Sequence, residues 1–167
     1  MEKDRLQHDA AHPRRSEARN YWMFALNLAL SLIPMYLAMF TMVDRWEDYR
    51  NNLNMLYMAL TMLAPMGMIM LATMGSMYGN RTANLALYAG LAILFAASLW
   101  ATRSQALVDD RQFIESMIPH HSGAILMCRE AQLMDPELVR LCEQITKAQR
   151  DEISQMESIA ARLRSAR

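Results

Sequence analysis

Residues 117–121 read Met-Ile-Pro-His-His and place one thioether and two imidazoles within about one helical turn. Met117 lies three residues before His120 and four before His121, so either imidazole can share a helix face with the sulfur. Thioether sulfur is a soft ligand that favours Cu(I), and imidazole also suits copper. An isolated pair of histidines is more often satisfied by hydrogen bonds in a core, but the nearby sulfur favours a copper site.

A second group of methionines repeats every three or four residues through one apolar segment. It consists of Met55, Met58, Met62, Met66, Met70, Met74 and Met77. These thioethers would form a stripe along a helix long enough to cross a bilayer. Methionine also fills irregular apolar space, so packing is the preferred interpretation and a Cu(I) path is the alternative.

Three long apolar runs stand out, at 21–43, 55–78 and 83–101. Each is close to the ~20 residues that a helix needs to cross the hydrocarbon core of a membrane. The runs contain no Asp, Glu, Lys, Arg or His, which argues against a proton relay or an ion path built from charged groups. They predict three transmembrane helices surrounded by lipid.

The orientation in the membrane is predicted from charge. Five basic residues precede the first run: Lys3, Arg5, Arg14, Arg15 and Arg19. They are expected to hold the N-terminus in the cytoplasm. We therefore predict a mostly disordered cytoplasmic tail at 1–20, a transmembrane domain at 21–102 and a helical domain at 103–167 outside the cytoplasm. The expected location is a bacterial inner (plasma) membrane, with the last domain in the periplasm.

The segment after the third run carries charges of both signs and is typical of two amphipathic helices. Asp109 or Asp110 is placed to cap the first of them. Asp135, Pro136 and Glu137 form a start signal for the second, with an N-cap acid, a proline at the first position and an acid in the first turn. We expect an antiparallel hairpin, which is half of a four-helix bundle.

A hairpin folded at Asp135 places residues equally distant from it at the same level. Cys128 and Cys142 are each seven residues away, so their Cα atoms are expected within the ~7 Å that a disulfide needs. The two cysteines are then able to form that bond or to supply two thiolates. The same register places His121 opposite Gln149 and Met117 opposite Ile153, with Glu152 and Met156 within a turn.

These positions define the candidate site. The predicted metal ligands are Met117, His120, His121, Met127, Met156, Cys128 and Cys142. Asp110, Gln149 and Glu152 are expected to surround them. Because neighbouring residues diverge by about 100° around a helix, His120 and His121 are predicted to serve different sites, or one ligates while the other holds a carboxylate.

The hairpin segment resembles domain-of-unknown-function family 305. The resemblance covers about residues 109–160 and rests on two stretches of sequence. The first contains the double-histidine motif and comprises Asp110, Phe113, Met117, His120, His121, Ala124, Ile125 and Met127. The second comprises Asp135-Pro136-Glu137-Leu138 and then Ile145, Gln149, Glu152, Ile153 and Met156. It implies a helical, ferritin-like fold and copper handling, because the family includes periplasmic copper-binding proteins.

The sequence departs from that family in two respects. Many members resemble two copies of the hairpin joined in one bundle, whereas this chain has one copy, and Cys128 stands where small apolar residues are usual. A lone hairpin leaves an apolar face uncovered. We therefore expect a homo-oligomer, or a helical partner that completes the bundle.

Three functions remain open at this point. The first is a membrane-anchored protein that sequesters Cu(I) or passes it to other copper-handling proteins. The second is a methionine-lined transporter, because the spans loosely resemble eukaryotic high-affinity copper transporters. The third is an accessory subunit of a membrane complex with the hairpin as its docking module. An enzyme is not expected. A di-iron carboxylate site in a helix bundle needs Glu-x-x-His pairs, and neither Glu115 nor Glu130 is followed by a histidine three residues later. No phosphate loop or basic face is visible, and neither nucleotide, haem nor nucleic acid is expected.

Overall fold

The computed structural model describes residues 2–165, with side chains from residue 17 onward. Its five helices are α1 (Glu2–Ala38), α2 (Leu53–Thr73), α3 (Arg81–Ser104), α4 (Asp110–Glu130) and α5 (Pro136–Ser165). Single 3-10 turns occur at Trp46–Asp48 and Gly75–Met77, and these described residues contain no strand. The predicted all-α fold is confirmed.

Three helical segments are long and apolar enough to cross a membrane, at Glu17–Ala38, Leu53–Thr73 and Arg81–Ser104. One compact unit contains most of them and comprises the chain up to Met35 together with Tyr57–Ala101. Thr61 Oγ1 of α2 donates a hydrogen bond of 2.9 Å to Ser98 Oγ of α3 inside this unit. Such polar contacts between helices are typical of transmembrane packing.

The core of this first unit lies where α2 turns back toward α3. Phe24, Leu71, Tyr78 and Leu91 are buried there. Glycine at position 67 leaves room for the neighbouring helices, because a Cβ there would lie 3.1 Å from the Leu91 side chain and 3.3 Å from that of Leu28. This close approach explains why α2 presents small residues to its neighbours.

The other compact unit comprises Tyr36–Leu56 and Thr102–Arg167, so the connection between α1 and α2 belongs to it together with the α4/α5 hairpin. We call residues 39–52 the α1–α2 loop. Its amide at Asp44 donates to Ser122 Oγ at 2.7 Å, and Ser122 Oγ donates in turn to Asp48 Oδ2 at 2.5 Å. Gly123 allows this contact, since a Cβ there would lie 3.2 Å from the Met42 carbonyl oxygen.

The start of α2 continues the same contact along α4. Gln112 Oε1 accepts from the amide of Leu53 at 3.0 Å, and Asn54 Nδ2 donates to Ser116 Oγ at 2.9 Å. Arg129 and Asp44 form an ion pair at the far end. The loop and the start of α2 therefore contact α4 from Gln112 to Arg129, over nearly five turns.

Two local predictions differ from the structure. Residues 2–20, predicted as a mostly disordered tail, continue α1, because extending an existing helix is far easier than nucleating one. The basic side chains up to Arg15 lie outside the residues whose side chains are described. The methionine stripe is also shorter than predicted: α2 ends at Thr73, so Met74 and Met77 lie in the following turn, where Tyr78 is buried.

Replacing Ser122 tests how the loop is held. Ser122→Ala leaves the buried carboxylate of Asp48 without its donor, and an unsatisfied buried polar group costs about 1–3 kcal/mol. We expect faster tryptic cleavage at Arg45 in the full-length protein, with unchanged helicity. Ser158→Ala is the matched control, because Ser158 is exposed on α5. Equal cleavage rates in both variants would contradict this account of the loop.

Candidate metal centre

Both helices of the hairpin start at side-chain caps. Asp109 Oδ1 accepts the amide of Gln112 at 2.8 Å, so Asp109 is the N-cap and Asp110 lies in the first turn of α4. Asp135 Oδ1 accepts the amides of Glu137 and Leu138, both at 2.9 Å. The predicted start of the second helix at Pro136 is confirmed, and it fixes where the chain turns back.

A disulfide joins Cys128 of α4 to Cys142 of α5, with Cα atoms 5.3 Å apart. The predicted approach of the two cysteines is confirmed. In this oxidised form both sulfurs are bonded to each other, so neither is a thiolate ligand as predicted. The bond closes a 14-residue separation, which in the chain-entropy model stabilises the hairpin by about 3 kcal/mol.

The central contact of the site joins His121 of α4 to Glu152 of α5. Nδ1 of His121 lies 3.1 Å from Oε2 of Glu152, and the imidazole side chain is only 12 % exposed. Nδ1 itself is buried and makes no hydrogen bond of acceptable geometry within the described chain. The imidazole and the carboxylate are therefore close enough for an ion pair but are not hydrogen-bonded. A buried nitrogen without a proper hydrogen bond is available to a metal ion or to a proton.

Burial lowers the pKa of His121 below its ordinary value of 6.5. Glu152 opposes this effect by raising the pKa, and the neighbouring His120 lowers it further. The neutral imidazole is therefore favoured near pH 7. That is the form in which histidine binds a metal.

The other predicted ligands lie in different surroundings. His120 is exposed, and its ring centre is 6.0 Å from that of His121. Met127 is 60 % exposed. Met117 and Met156 are half-buried on α4 and α5, and Gln149 is half-buried as well. Among the described residues there is no group of three or more His, Cys, Asp or Glu side chains arranged to hold a metal ion.

A cleft of about 680 Å³ opens on the side of the hairpin that the α1–α2 loop covers. Its charged lining includes Arg50, Arg111, Glu115 and Glu157, and its apolar lining includes Ile114, Ile118 and Leu163. Arg50 reaches Glu157 at 3.4 Å and so connects the loop to α5. Asp110, predicted to surround the metal site, lines this cleft instead.

Sequence reasoning missed the residues that attach the loop to α4. Asp44, Asp48 and Ser122 show no periodicity or local motif, and their partners lie more than 70 residues away in sequence. The one sequence feature at this place is the pair of acids Asp44 and Asp48, four residues apart in a short connection between apolar runs. This spacing does not identify Ser122 as their partner.

Comparison with known proteins places this hairpin in a family. Residues 38–160 match the family described as Domain of unknown function (DUF305). The chain is also 32% identical over 143 residues to an uncharacterized protein of Acanthamoeba polyphaga mimivirus, a match that covers 84% of this chain and 92% of the relative. No solved structure matches.

The protein belongs to the DUF305 family. The matched region is wider than the hairpin resemblance, because it includes the α1–α2 loop, α2 and α3. The loop and the surface of α4 that it contacts therefore both lie inside the family region.

The charge environment of His121 gives a testable pH dependence. Since its pKa is lowered in the folded state, the unfolded chain takes up this proton first, and stability falls as the pH drops below 6.5. Glu152→Gln removes the group that raises the pKa, so the pKa should fall further in an NMR titration. His120→Gln should shift it in the opposite direction. A rise in Glu152→Gln would contradict the observed pairing.

Proposed function

We propose that this protein is a membrane-anchored copper-binding protein that sequesters Cu(I), or passes it on, outside the cytoplasm. The observation that carries the proposal is the buried, unpaired Nδ1 of His121, which lies beside a carboxylate and one turn from Met117. A neutral imidazole and a thioether on one helix face form a donor pair that fits copper.

Met117 and His121 are the proposed principal ligands. His120, Met127 and Met156 are secondary candidates, while Cys128 and Cys142 are able to contribute only after their disulfide is reduced. Glu152 neutralises the charge of a bound ion. Bound copper would supply a soft Lewis-acid centre, and no reaction is proposed for it.

The proposed topology has three spans, with the N-terminus in the cytoplasm and the hairpin outside. In this topology two spans, α2 and α3, separate the α1–α2 loop from the hairpin, so the loop and the hairpin must be on the same side of the membrane. The hydrogen bonds of Asp44 and Asp48 to Ser122 meet that requirement. The disulfide suits an oxidising compartment, and we place the chain in a bacterial inner membrane with the hairpin in the periplasm.

Removing the two principal ligands tests the proposal. Met117→Leu combined with His121→Ala should lower the affinity for Cu(I) at least a hundredfold while leaving helicity unchanged, because both soft donors are lost. Affinity is measured by competition with a Cu(I) chelator under anaerobic conditions. Met134→Leu is the control, since Met134 is exposed at the turn. An unchanged affinity for Cu(I) in the double variant would contradict the assignment of Met117 and His121 as ligands.

A methionine-lined transporter is the second candidate. Met58 and Met62 are exposed on α2, whereas Met70 packs against the buried cluster of Phe24, Leu71, Tyr78 and Leu91, so only part of the stripe faces away from the core of its own unit. The exposed part meets lipid or another chain. We favour packing, because the apolar run at 55–78 has no acidic, basic or histidine side chain beside the sulfurs. An accessory role without metal is the third candidate.

Replacing the stripe by leucine separates these candidates. Met58, Met62, Met66 and Met70 changed together to Leu should preserve folding, since Leu and Met are similar in volume and such exchanges cost less than about 1.5 kcal/mol each. Copper binding by the hairpin and copper tolerance of cells should both be unaltered. Loss of copper uptake or tolerance in the well-folded variant would favour the transporter.

A further inference from the structure

The hairpin has one side that no part of the described chain covers. The α1–α2 loop contacts α4 at Ser122, and at about 100° per residue Phe113, His120 and Met127 lie about 140–180° around the helix from that contact. All three are exposed. On α5, Glu157 faces Arg50 of the loop, and Glu152 lies about 140° away from it. We call this uncovered side the open face.

The open face has the spacing of a helix-packing seam. On α4 the seam residues are Phe113, Met117, His120, Ala124 and Met127, and on α5 they are Leu141, Ile145, Ala148, Glu152, Gln155 and Ile159. Both sets alternate steps of three and four residues, which is the 3.5-residue repeat of helices that pack side by side. The seam on α5 is separate from the stripe through Cys142 that faces α4. A second seam on each helix is what a four-helix bundle needs.

We propose that a second copy of this chain covers the open face, and that each copper site takes His121 and Met117 from one chain and His120 from the other. This inference rests on the proposed copper function. It explains why the two adjacent histidines diverge: His121 faces its own α5, and His120 faces the α5 of the second copy. Glu152 then lies between the two imidazoles.

The register of the hairpin supports this arrangement. Cys128 pairs with Cys142 and His121 with Glu152, so a residue of α4 lies level with the α5 residue at nearly the same distance from Asp135. Two chains inserted in one membrane in the same direction are related by a two-fold axis along the membrane normal, which keeps equivalent residues at equal height. His120 therefore lies level with residues 150–153 of the second copy, where Glu152 is the seam residue.

Charge also favours a metal at this contact. Glu152 is the only acidic or basic side chain of the α5 seam, and it is half exposed in the single chain. Packing a second copy over it removes water from its carboxylate, which is costly unless a cation is nearby. A copper ion held by the imidazoles supplies that charge. Among the predicted metal-site residues that the structure describes, one chain brings only His121 and Glu152 into ion-pair contact, so the proposed site is incomplete without the second copy.

The oligomeric state of the full-length protein in detergent tests the interface. We expect a dimer by light scattering, disrupted by Leu141→Asp but not by Val139→Asp. Val139 is the matched control because it is 37% exposed, compared with 47% for Leu141, and lies on the opposite side of α5. A monomeric wild-type protein, or equal disruption by both variants, would overturn the proposal.

Inter-chain complementation tests the split site with Cu(I) as the probe. His120→Ala and His121→Ala are co-expressed with different tags, and the mixed dimer is isolated through both tags. The proposal predicts one intact site per mixed dimer, and a Cu(I) capacity about half that of wild type. Each variant alone should have none of the high-affinity sites. If both histidines act within one chain, the mixed dimer has no intact site and the proposal fails. If wild-type protein binds no Cu(I), the proposed function itself is wrong.

Discussion

The register between α4 and α5 is the constraint on which the site depends. It is set at one end by the Asp135 cap before Pro136 and held about two turns away by the Cys128–Cys142 bond. A slip of one helical turn would move the helices by about 5.4 Å and separate His121 from Glu152. The contact between a shielded imidazole and a carboxylate therefore depends on a turn signal and a covalent bond at the end of the hairpin nearest the turn.

The α1–α2 loop is the second element that gives the hairpin its form. It covers α4 on the side of Ser122 and Gly123 and leaves the opposite side free. His121 is shielded by α5, whereas His120 is exposed on the side of α4 that the loop leaves free.

Much of the hairpin could be predicted from sequence because its signals are local. The caps at Asp109 and Asp135, the apolar repeat and the equal distances of the two cysteines from the turn all act within a few residues. The contact of Ser122 with Asp48 could not be predicted, since it joins residues 74 apart through side chains that are common in any loop. The end of α2 at Thr73 could not be predicted from hydropathy either, because the apolar run continues through the turn to the buried Tyr78. Hydropathy indicates which residues are buried in lipid or in a core, but it does not indicate where a helix ends.

Copper-edge X-ray absorption of the full-length protein loaded anaerobically with one equivalent of Cu(I) tests the central claim most directly. We predict a mixed shell of imidazole nitrogen and thioether sulfur that survives desalting in the wild-type protein, whereas His121→Ala should lose its copper on desalting. Copper lost on desalting, or a shell without imidazole in the wild-type protein, would contradict a metal centre at His121.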